Sequence, residues 1–205
     1  MSNVTAQFLF DFGSPNAYRC YEVLPQITFR TGVAFESVPI LLGGLFKLTN
    51  NRSPAEAFAG IAHKRAYDTL EVQRFLAKHQ LSKFRMNPFF PVNTLMIMRG
   101  AVAAQKLGCF ENYVDVVYSC RWERNLNMAD VEVAGKALAT AGLDAKAILS
   151  LTQDAKVKER LGANTQETFE RGAFGSPTFF VGKEIYFGKN RLREVEEDIV
   201  AQLGR

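Results

Sequence analysis

The turn at residues 12–18 has the residue types and spacing that chemistry at a strand-to-helix junction needs. Its sequence is Phe-Gly-Ser-Pro-Asn-Ala-Tyr, and it follows an apolar segment. An oxidoreductase that works through a dithiol needs Cys-x-x-Cys at such a turn, whereas Ser14 and Ala17 occupy the two positions here. Dithiol electron transfer at this turn is therefore excluded. What remains is a hydroxyl at a helix start, where unpaired N–H groups and the helix dipole favour a nearby anion.

Ser14 also has a purely structural interpretation. Serine at the N-cap followed by proline at the first helical position is a common helix start, and Ser14-Pro15 fits it. The local sequence leaves both interpretations open.

The segments around this turn predict a βαβ unit, whose crossover is expected to be right-handed. Residues 4–11 form an apolar strand, a helix runs from Pro15 to its end at residues 30–32, and residues 33–40 form a second strand. Residues 41–52 are predicted as a glycine-containing loop. It ends at Ser53-Pro54-Ala55-Glu56, which fits a capping box.

The middle of the chain is predicted to be helical, since its apolar residues recur with a 3.6-residue period. Asp130 and Asp144 are suitable N-caps, and Gly142 is a suitable helix end. The predicted helices cover residues 55–79, 94–107, 110–122, 130–141 and 144–151, with a further stretch toward Phe169.

Strand signals return near the C-terminus. Residues 178–181 and 184–187 predict a hairpin around Gly182-Lys183, and an amphipathic helix follows. The order βαβ, helices, ββα is that of an α/β, thioredoxin-like domain interrupted by a large all-helical insertion. We expect residues 1–50 and 172–205 to form the thioredoxin-like domain and residues 51–171 the helical domain.

In this fold, Ser176-Pro177 precedes the returning strand and faces the helix start that carries Ser14. Proline is tolerated at the entrance of a strand. The position also predicts a cis peptide between Ser176 and Pro177, although only about 5–6% of X-Pro bonds are cis.

Composition limits the partners. Formal net charge is +4, and the densest basic group, Lys183 to Arg193, is interrupted by glutamates, so nothing indicates nucleic acid. No apolar run is long enough to span a membrane. The first residues lack the features of a signal peptide, which favours the cytoplasm.

The three cysteines, Cys20, Cys109 and Cys120, are widely spaced and are expected to be buried thiols. No metal site is predicted.

Several separated motifs resemble one family over essentially the whole chain. They are residues 11–18, 42–47, 89–93, 172–178 and 187–192. The family is that of the 2-hydroxychromene-2-carboxylate isomerases, which is close to the kappa-class glutathione transferases and related to DsbA-type oxidoreductases.

The resemblance implies a glutathione site. Ser14 would contact the glutathione sulfur as the catalytic residue, and the backbone of Ser176, beside Pro177, would pair with the cysteinyl part as an added strand does. The γ-glutamyl end would be received at the last helix. The segment that would receive it consists of Phe187, Gly188, Lys189 and Asn190.

The resemblance also implies a substrate side, formed by Lys47, Asn51, Arg52, Phe89 and Phe90. Lys47 would hold the carboxylate of a small aromatic substrate, and Phe89 and Phe90 would wall its ring.

Two residues depart from the family pattern. Asn190 replaces an aspartate that is expected to pair with the glutathione ammonium, which puts the affinity or the identity of the ligand in doubt. Ser176 replaces an aliphatic residue, and its backbone role is expected to survive.

Three functions follow from the resemblance. The first is a glutathione-dependent isomerase that interconverts 2-hydroxychromene-2-carboxylate and trans-o-hydroxybenzylidenepyruvate, or a related intermediate of aromatic catabolism such as naphthalene degradation. A kappa-like transferase that conjugates electrophiles and a non-catalytic glutathione-binding protein are the alternatives. A homodimer is also expected from the resemblance.

Overall fold

A four-stranded mixed sheet positions the turn at residue 14. In the computed structural model, which describes residues 4–204, the strands lie in the order β2-β1-β3-β4. The two pairings of β1 differ, since β1 and β2 are parallel, whereas β1 and β3 are antiparallel. The strands are β1 (Ala6–Phe10), β2 (Phe35–Pro39), β3 (Thr178–Val181) and β4 (Glu184–Phe187). This confirms the α/β, thioredoxin-like fold and the C-terminal hairpin.

The crossover between β1 and β2 contains two helices, so the single helix predicted from Pro15 is wrong. Helix α1 covers Pro15–Tyr21 and α2 covers Leu24–Thr31. Pro25 explains the break, because it has no N–H to donate and its ring would clash with the carbonyl of the residue four positions earlier. α2 ends at Gly32, whose φ of 75° is in the left-handed region.

The loop predicted for residues 41–52 is also wrong, since the structure has helix α3 at Leu42–Thr49. Its glycines disfavour a helix, but tertiary contacts outweigh that preference. The N–H of Leu42 donates to the Asp11 carboxylate at 2.8 Å, and the side chain of Leu45 is completely buried.

The helix predicted for residues 55–79 is divided. Helix α4 covers Pro54–Ala57 and α5 covers Lys64–Lys78. The break contains Gly60 and ends at His63, whose φ of 65° is left-handed. The predicted cap is confirmed, because the Ser53 hydroxyl accepts a hydrogen bond from the backbone N–H of Glu56.

The remaining helices agree with the predictions to within a few residues, and Asp130 and Asp144 are confirmed as N-caps. They are α6 (Leu95–Leu107), α7 (Phe110–Trp122), α8 (Val131–Thr140), α9 (Ala145–Leu151), α10 (Ala155–Glu170) and α11 (Leu192–Gln202).

A shared core joins the sheet to the helices. Phe8 and Phe10 from β1 belong to the same buried cluster as Tyr118 and Trp122 from α7. Because the cluster includes both the sheet and the helical segment, the helices hold the end of β1 in place. The division into domains at residues 50 and 172 stays a prediction.

All three cysteines are free thiols, and Cys20 and Cys120 are buried as predicted. The prediction is wrong for Cys109, which is only half-buried because it lies in the turn between α6 and α7. Among residues 4–204, no helix has the length and apolar character needed to cross a membrane.

Candidate active site

Ser14 and Ser176 meet at the head of α1, although 162 residues separate them in the sequence. The Ser14 hydroxyl accepts a hydrogen bond from the N–H of Ala17 at 3.2 Å and donates one to the carbonyl of Ser176 at 2.9 Å. Ser14 is therefore both a helix cap and a polar contact to the segment before β3. Its exposure is 6%, so the hydroxyl lies just below the surface.

The turn that carries Ser14 is held by buried side chains. The carbonyl of Phe12 accepts hydrogen bonds from Arg121 Nε at 2.9 Å and from Trp122 Nε1 at 3.0 Å. The N–H of Phe12 points to the sulfur of Met98 at 3.3 Å. Because the peptide groups on both sides of Phe12 have partners from α6 or α7, the position of Ser14 depends on the helical segment.

Asp11 joins three elements at the end of β1. Its buried carboxylate accepts hydrogen bonds from the N–H of Gly13 at 2.7 Å and of Leu42 at 2.8 Å, and a side-chain bond from Thr94. Burial raises the pKa of this carboxyl group, while these bonds and the charge of Arg121 act in the opposite direction.

Arg121 is completely buried beside this turn. Burial lowers the pKa of its guanidinium to about 10, and the charge of Asp11 raises it. Neither Nη atom has a hydrogen-bond partner among residues 4–204. The guanidinium lies 4.9 Å from the centre of the Trp122 ring, which gives it a cation–π contact.

The segment around Pro177 links the hydroxyl of Ser14 to β4. The Ser176–Pro177 peptide is cis, as predicted, and the Ser176 hydroxyl accepts from the N–H of Asp11 at 3.1 Å. The carbonyl of Pro177 accepts from the N–H of Gly188 at 3.0 Å. The N–H of Ser176 donates to no acceptor among residues 4–204, so it is available to a ligand.

Two aromatic rings flank this segment. The rings of Phe174 and Phe187 lie 4.5 Å apart, and both side chains are partly exposed. A Cβ atom on Gly175 would lie 2.6 Å from the Phe187 ring, so only glycine allows this approach. The side chain of Asn51 donates to the carbonyl of Phe174 at 2.9 Å, which brings the predicted residues Asn51 and Phe187 to the same side of the site.

Lys189 and Asn190 lie in a 3₁₀ turn, Lys189–Arg191, that follows β4 and is in contact with α1. The ammonium of Lys189 donates to the side-chain oxygen of Asn190 at 2.5 Å, and the Lys189 side chain is buried. Burial lowers the pKa of Lys189, and the nearby charge of Arg19 lowers it further.

The other predicted substrate residues are less closely tied to Ser14. Lys47, in the last turn of α3, and Arg52 are exposed. Phe89 is 49% exposed, whereas Phe90 is partly buried and packs on Trp122 with 6.0 Å between ring centres. The roles of these four residues toward a substrate stay predictions.

Two clefts lie near these elements, and the second includes residues of the predicted site. One of about 440 Å³ lies between β2, α6 and α7, and its lining includes Tyr21, Glu36 and Phe110. A second of about 510 Å³ is lined by residues of α2, α5 and α11 and reaches Lys189 and Asn190. Within residues 4–204, no group of three or more His, Cys, Asp or Glu side chains could hold a metal ion.

Asp11, Arg121 and Phe174 are the residues of the site that the sequence analysis did not select as site residues. A signal existed for Asp11, because it is an acid that directly follows an apolar strand. None existed for Arg121, since arginines on helices are usually exposed and its burial depends on the packing of α7 against β1.

Comparison with known proteins identifies a family model and curated proteins that this chain resembles. A family model described as a DSBA-like thioredoxin domain matches residues 5–200. A curated 2-hydroxychromene-2-carboxylate isomerase from Sphingobium xenophagum is 25% identical over 194 residues, which cover 94% of this chain and 96% of the relative. Another from Pseudomonas sp. (strain C18) is 25% identical over 203 residues, covering 96% and 90% of the two chains.

Solved structures agree on the fold. A 2-hydroxychromene-2-carboxylate isomerase superimposes with a TM-score of 0.83 at 22% identity, covering 98% of this chain and 96% of that one. A probable DsbA oxidoreductase from Streptomyces coelicolor has a TM-score of 0.76 at 18% identity, covering 99% and 91%.

Proposed function

The chain belongs to the family of DSBA-like thioredoxin domains, and on that premise we propose that it is an isomerase with glutathione as its cofactor. The proposed reaction interconverts 2-hydroxychromene-2-carboxylate and trans-o-hydroxybenzylidenepyruvate, or a closely related aromatic carboxylate. The 25% identity to two curated isomerases, over at least 90% of each chain, supports this reaction class.

The observation that carries the proposal is the hydroxyl of Ser14 at the head of α1, 2.9 Å from the carbonyl of Ser176. A hydroxyl at this place cannot exchange electrons with a disulfide. It can donate a hydrogen bond to the sulfur of a bound thiol, which favours thiolate over thiol. The site thus suits a protein whose reactive sulfur comes from its ligand.

The residues present fit a glutathione-type thiol. The free N–H of Ser176 and its carbonyl form the edge that an extended peptide needs for backbone pairing. Phe174 and Phe187, both partly exposed, flank that edge. The 3₁₀ turn that begins at Lys189 lies beside it, because Gly188 is bonded to Pro177.

When bound, glutathione supplies a thiolate that adds reversibly to a conjugated carbon of the substrate, so that the former double bond can rotate. Ser14 would donate to the sulfur and so favour the thiolate before it adds to the substrate and again once elimination has released it. To do so its hydroxyl must leave the carbonyl of Ser176, which then becomes free to accept from the N–H of the cysteinyl residue. Binding of the peptide and rotation of the Ser14 hydroxyl toward the sulfur are therefore coupled, because both involve the carbonyl of Ser176.

The substrate side is proposed to lie between α3, the Phe174–Phe187 pair and Phe89. Lys47 is an exposed cation on the last turn of α3 and is suited to a substrate carboxylate. Phe89 offers an exposed ring for stacking on an aromatic substrate.

The test is to incubate the protein with 2-hydroxychromene-2-carboxylate, with and without glutathione, and to follow the absorbance of the ring-opened product. Conversion that requires glutathione and consumes none of it supports the isomerase. Permanent conjugation of glutathione to a chloronitrobenzene, without isomerisation, would show that the protein is a transferase and not an isomerase. Absence of glutathione binding would reject both enzymes. Lys47→Met removes the cation proposed to hold the substrate carboxylate and is expected to raise the KM for the substrate; Lys183→Met, at an exposed position in the β3–β4 turn, is its matched control.

A further inference from the structure

We propose, on the basis of the function proposed above, that the subsite at the 3₁₀ turn Lys189–Arg191 prefers a glutathione-type thiol whose α-amine carries no positive charge. In such a thiol the amine is absent or acylated, while the α-carboxylate is kept. The proposal rests on the charges and hydrogen bonds around Lys189 and on the cleft that opens there.

The oxygen that an ammonium would need is already occupied. Asn190 is exposed, and its side-chain oxygen accepts from the ammonium of Lys189 at 2.5 Å. An amide oxygen has two lone pairs, but a second cation bonded to this one would be repelled by the ammonium of Lys189, 2.5 Å from the same oxygen. A γ-glutamyl ammonium at this place would share its acceptor with a cation, and the neutral Asn190 would not offset its charge.

Cations also dominate beneath the turn. Lys189 is 8% exposed and Arg19 is 4% exposed, and the charge of Arg19 is close enough to lower the pKa of Lys189. The Lys189 ammonium lies 5.0 Å from the centre of the Phe75 ring, and the Arg19 guanidinium lies 4.3 Å from that of Phe84. Both cations are thus held in place by packing and do not move away easily.

The acids nearest to this group are already paired. Glu71 and Asp68 are the carboxylates whose charge acts on Lys189. Glu71 accepts from Arg74 at 2.7 Å, and Asp68 is bonded to Lys64. Each of these acids already has a cation of its own, whereas the charges of Lys189 and Arg19 would favour a ligand carboxylate over an ammonium.

A cleft gives room for a substituent on the amine. The cleft of about 510 Å³ begins at Lys189 and Asn190 and continues between α5 and α11. Two carboxylates line this cleft, Glu71 and Glu196, and each is paired with an arginine that also lines it, Arg74 and Arg30 respectively. Lys78, Lys189 and Arg193 are further cations of the lining, so positive charges outnumber negative ones there. An acyl group, particularly an acidic one, suits this cleft better than an ammonium.

The experiment compares the dissociation constants of glutathione and of its des-amino analogue, glutaryl-cysteinylglycine, by calorimetry with the wild-type protein. We expect the analogue to bind at least as tightly, and up to about tenfold more tightly, because nothing compensates the ammonium. If glutathione binds tenfold more tightly than the analogue, this inference is wrong and the proposed function stands. If neither thiol binds, the proposed cofactor itself is wrong.

Adding a negative charge at residue 190 gives a second, independent test. Asn190→Asp restores an acid beside the turn, and we expect it to shift the preference toward glutathione by about tenfold. Asn112→Asp, which adds the same negative charge at an exposed position of α7, is the matched control. An unchanged ratio in Asn190→Asp, with both thiols still bound, would overturn the proposal. A circular dichroism spectrum equal to that of the wild type ensures that each variant is folded.

Discussion

Replacing Ser14 by alanine separates its two roles, cap and thiolate donor, by magnitude. The substitution removes the bond to the N–H of Ala17 and the bond to the carbonyl of Ser176. Loss of an N-cap costs about 1 kcal/mol, and loss of one further hydrogen bond about another 1 kcal/mol. Ser14→Ala is therefore expected to lower the free energy of unfolding by about 2 kcal/mol, whatever its effect on catalysis.

Ser14 lowers the pKa of a bound thiol by less than a hydroxyl with no other hydrogen-bond partner would. A hydrogen bond to a charged group is worth about 1.5–3 kcal/mol, but the hydroxyl must first give up its bond to Ser176, which is worth about 1 kcal/mol. The remaining 0.5–2 kcal/mol, roughly, corresponds to a rise of about 0.4–1.5 units in the thiol pKa when Ser14 becomes alanine.

The assay is a pH titration of the thiolate absorbance of protein-bound glutathione, and urea unfolding measures stability in parallel. Ser14→Thr is the matched control, because it keeps a hydroxyl and an N-cap oxygen, and we expect its thiol pKa to equal that of the wild type. A loss of stability in Ser14→Ala with an unchanged thiolate titration would refute the catalytic role and leave Ser14 as a helix cap only.

Three further outcomes follow from packing and charge. Gly100→Ala should lower the free energy of unfolding in urea by about 1–3 kcal/mol, because its Cβ atom would lie 2.1 Å from the buried hydroxyl of Tyr113. An unchanged free energy of unfolding would contradict this packing. Arg121→Met removes the charged Nε donor to the carbonyl of Phe12 and should lower the free energy of unfolding by about 1.5–3 kcal/mol. An unfolding midpoint equal to that of the wild type would show that this hydrogen bond contributes nothing. Partial burial and neighbouring cations lower the pKa of His79, so the unfolded chain takes up this proton at a higher pH than the folded protein, and the free energy of unfolding should fall as the pH drops below 6.5. His79→Gln should reduce that loss, and an identical pH dependence of stability in the variant and the wild type would exclude His79 as its source.

The local sequence predicted those parts of the fold that depend on neighbours along the chain. The strand at β1, the hairpin of β3 and β4 and the N-caps at Ser53, Asp130 and Asp144 were all predicted correctly. Pro25 was a local signal for the break between α1 and α2, because proline disfavours a helix interior. The helix at α3 could not be predicted in this way, because its two glycines disfavour a helix and its first N–H is satisfied by Asp11, a residue from another element.

The sequence alone determined that the turn at residue 14 has a hydroxyl where a dithiol enzyme needs a thiol, and that Ser14 can cap a helix. Tertiary structure decided what that hydroxyl touches: the carbonyl of Ser176, across 162 residues of chain. It also decided that Arg121 is buried behind the turn and that Lys189 occupies the oxygen of Asn190. Hydrogen bonds and charges act over a few ångströms in space. Which groups come that close depends on the folded structure, and their separation along the chain does not predict it.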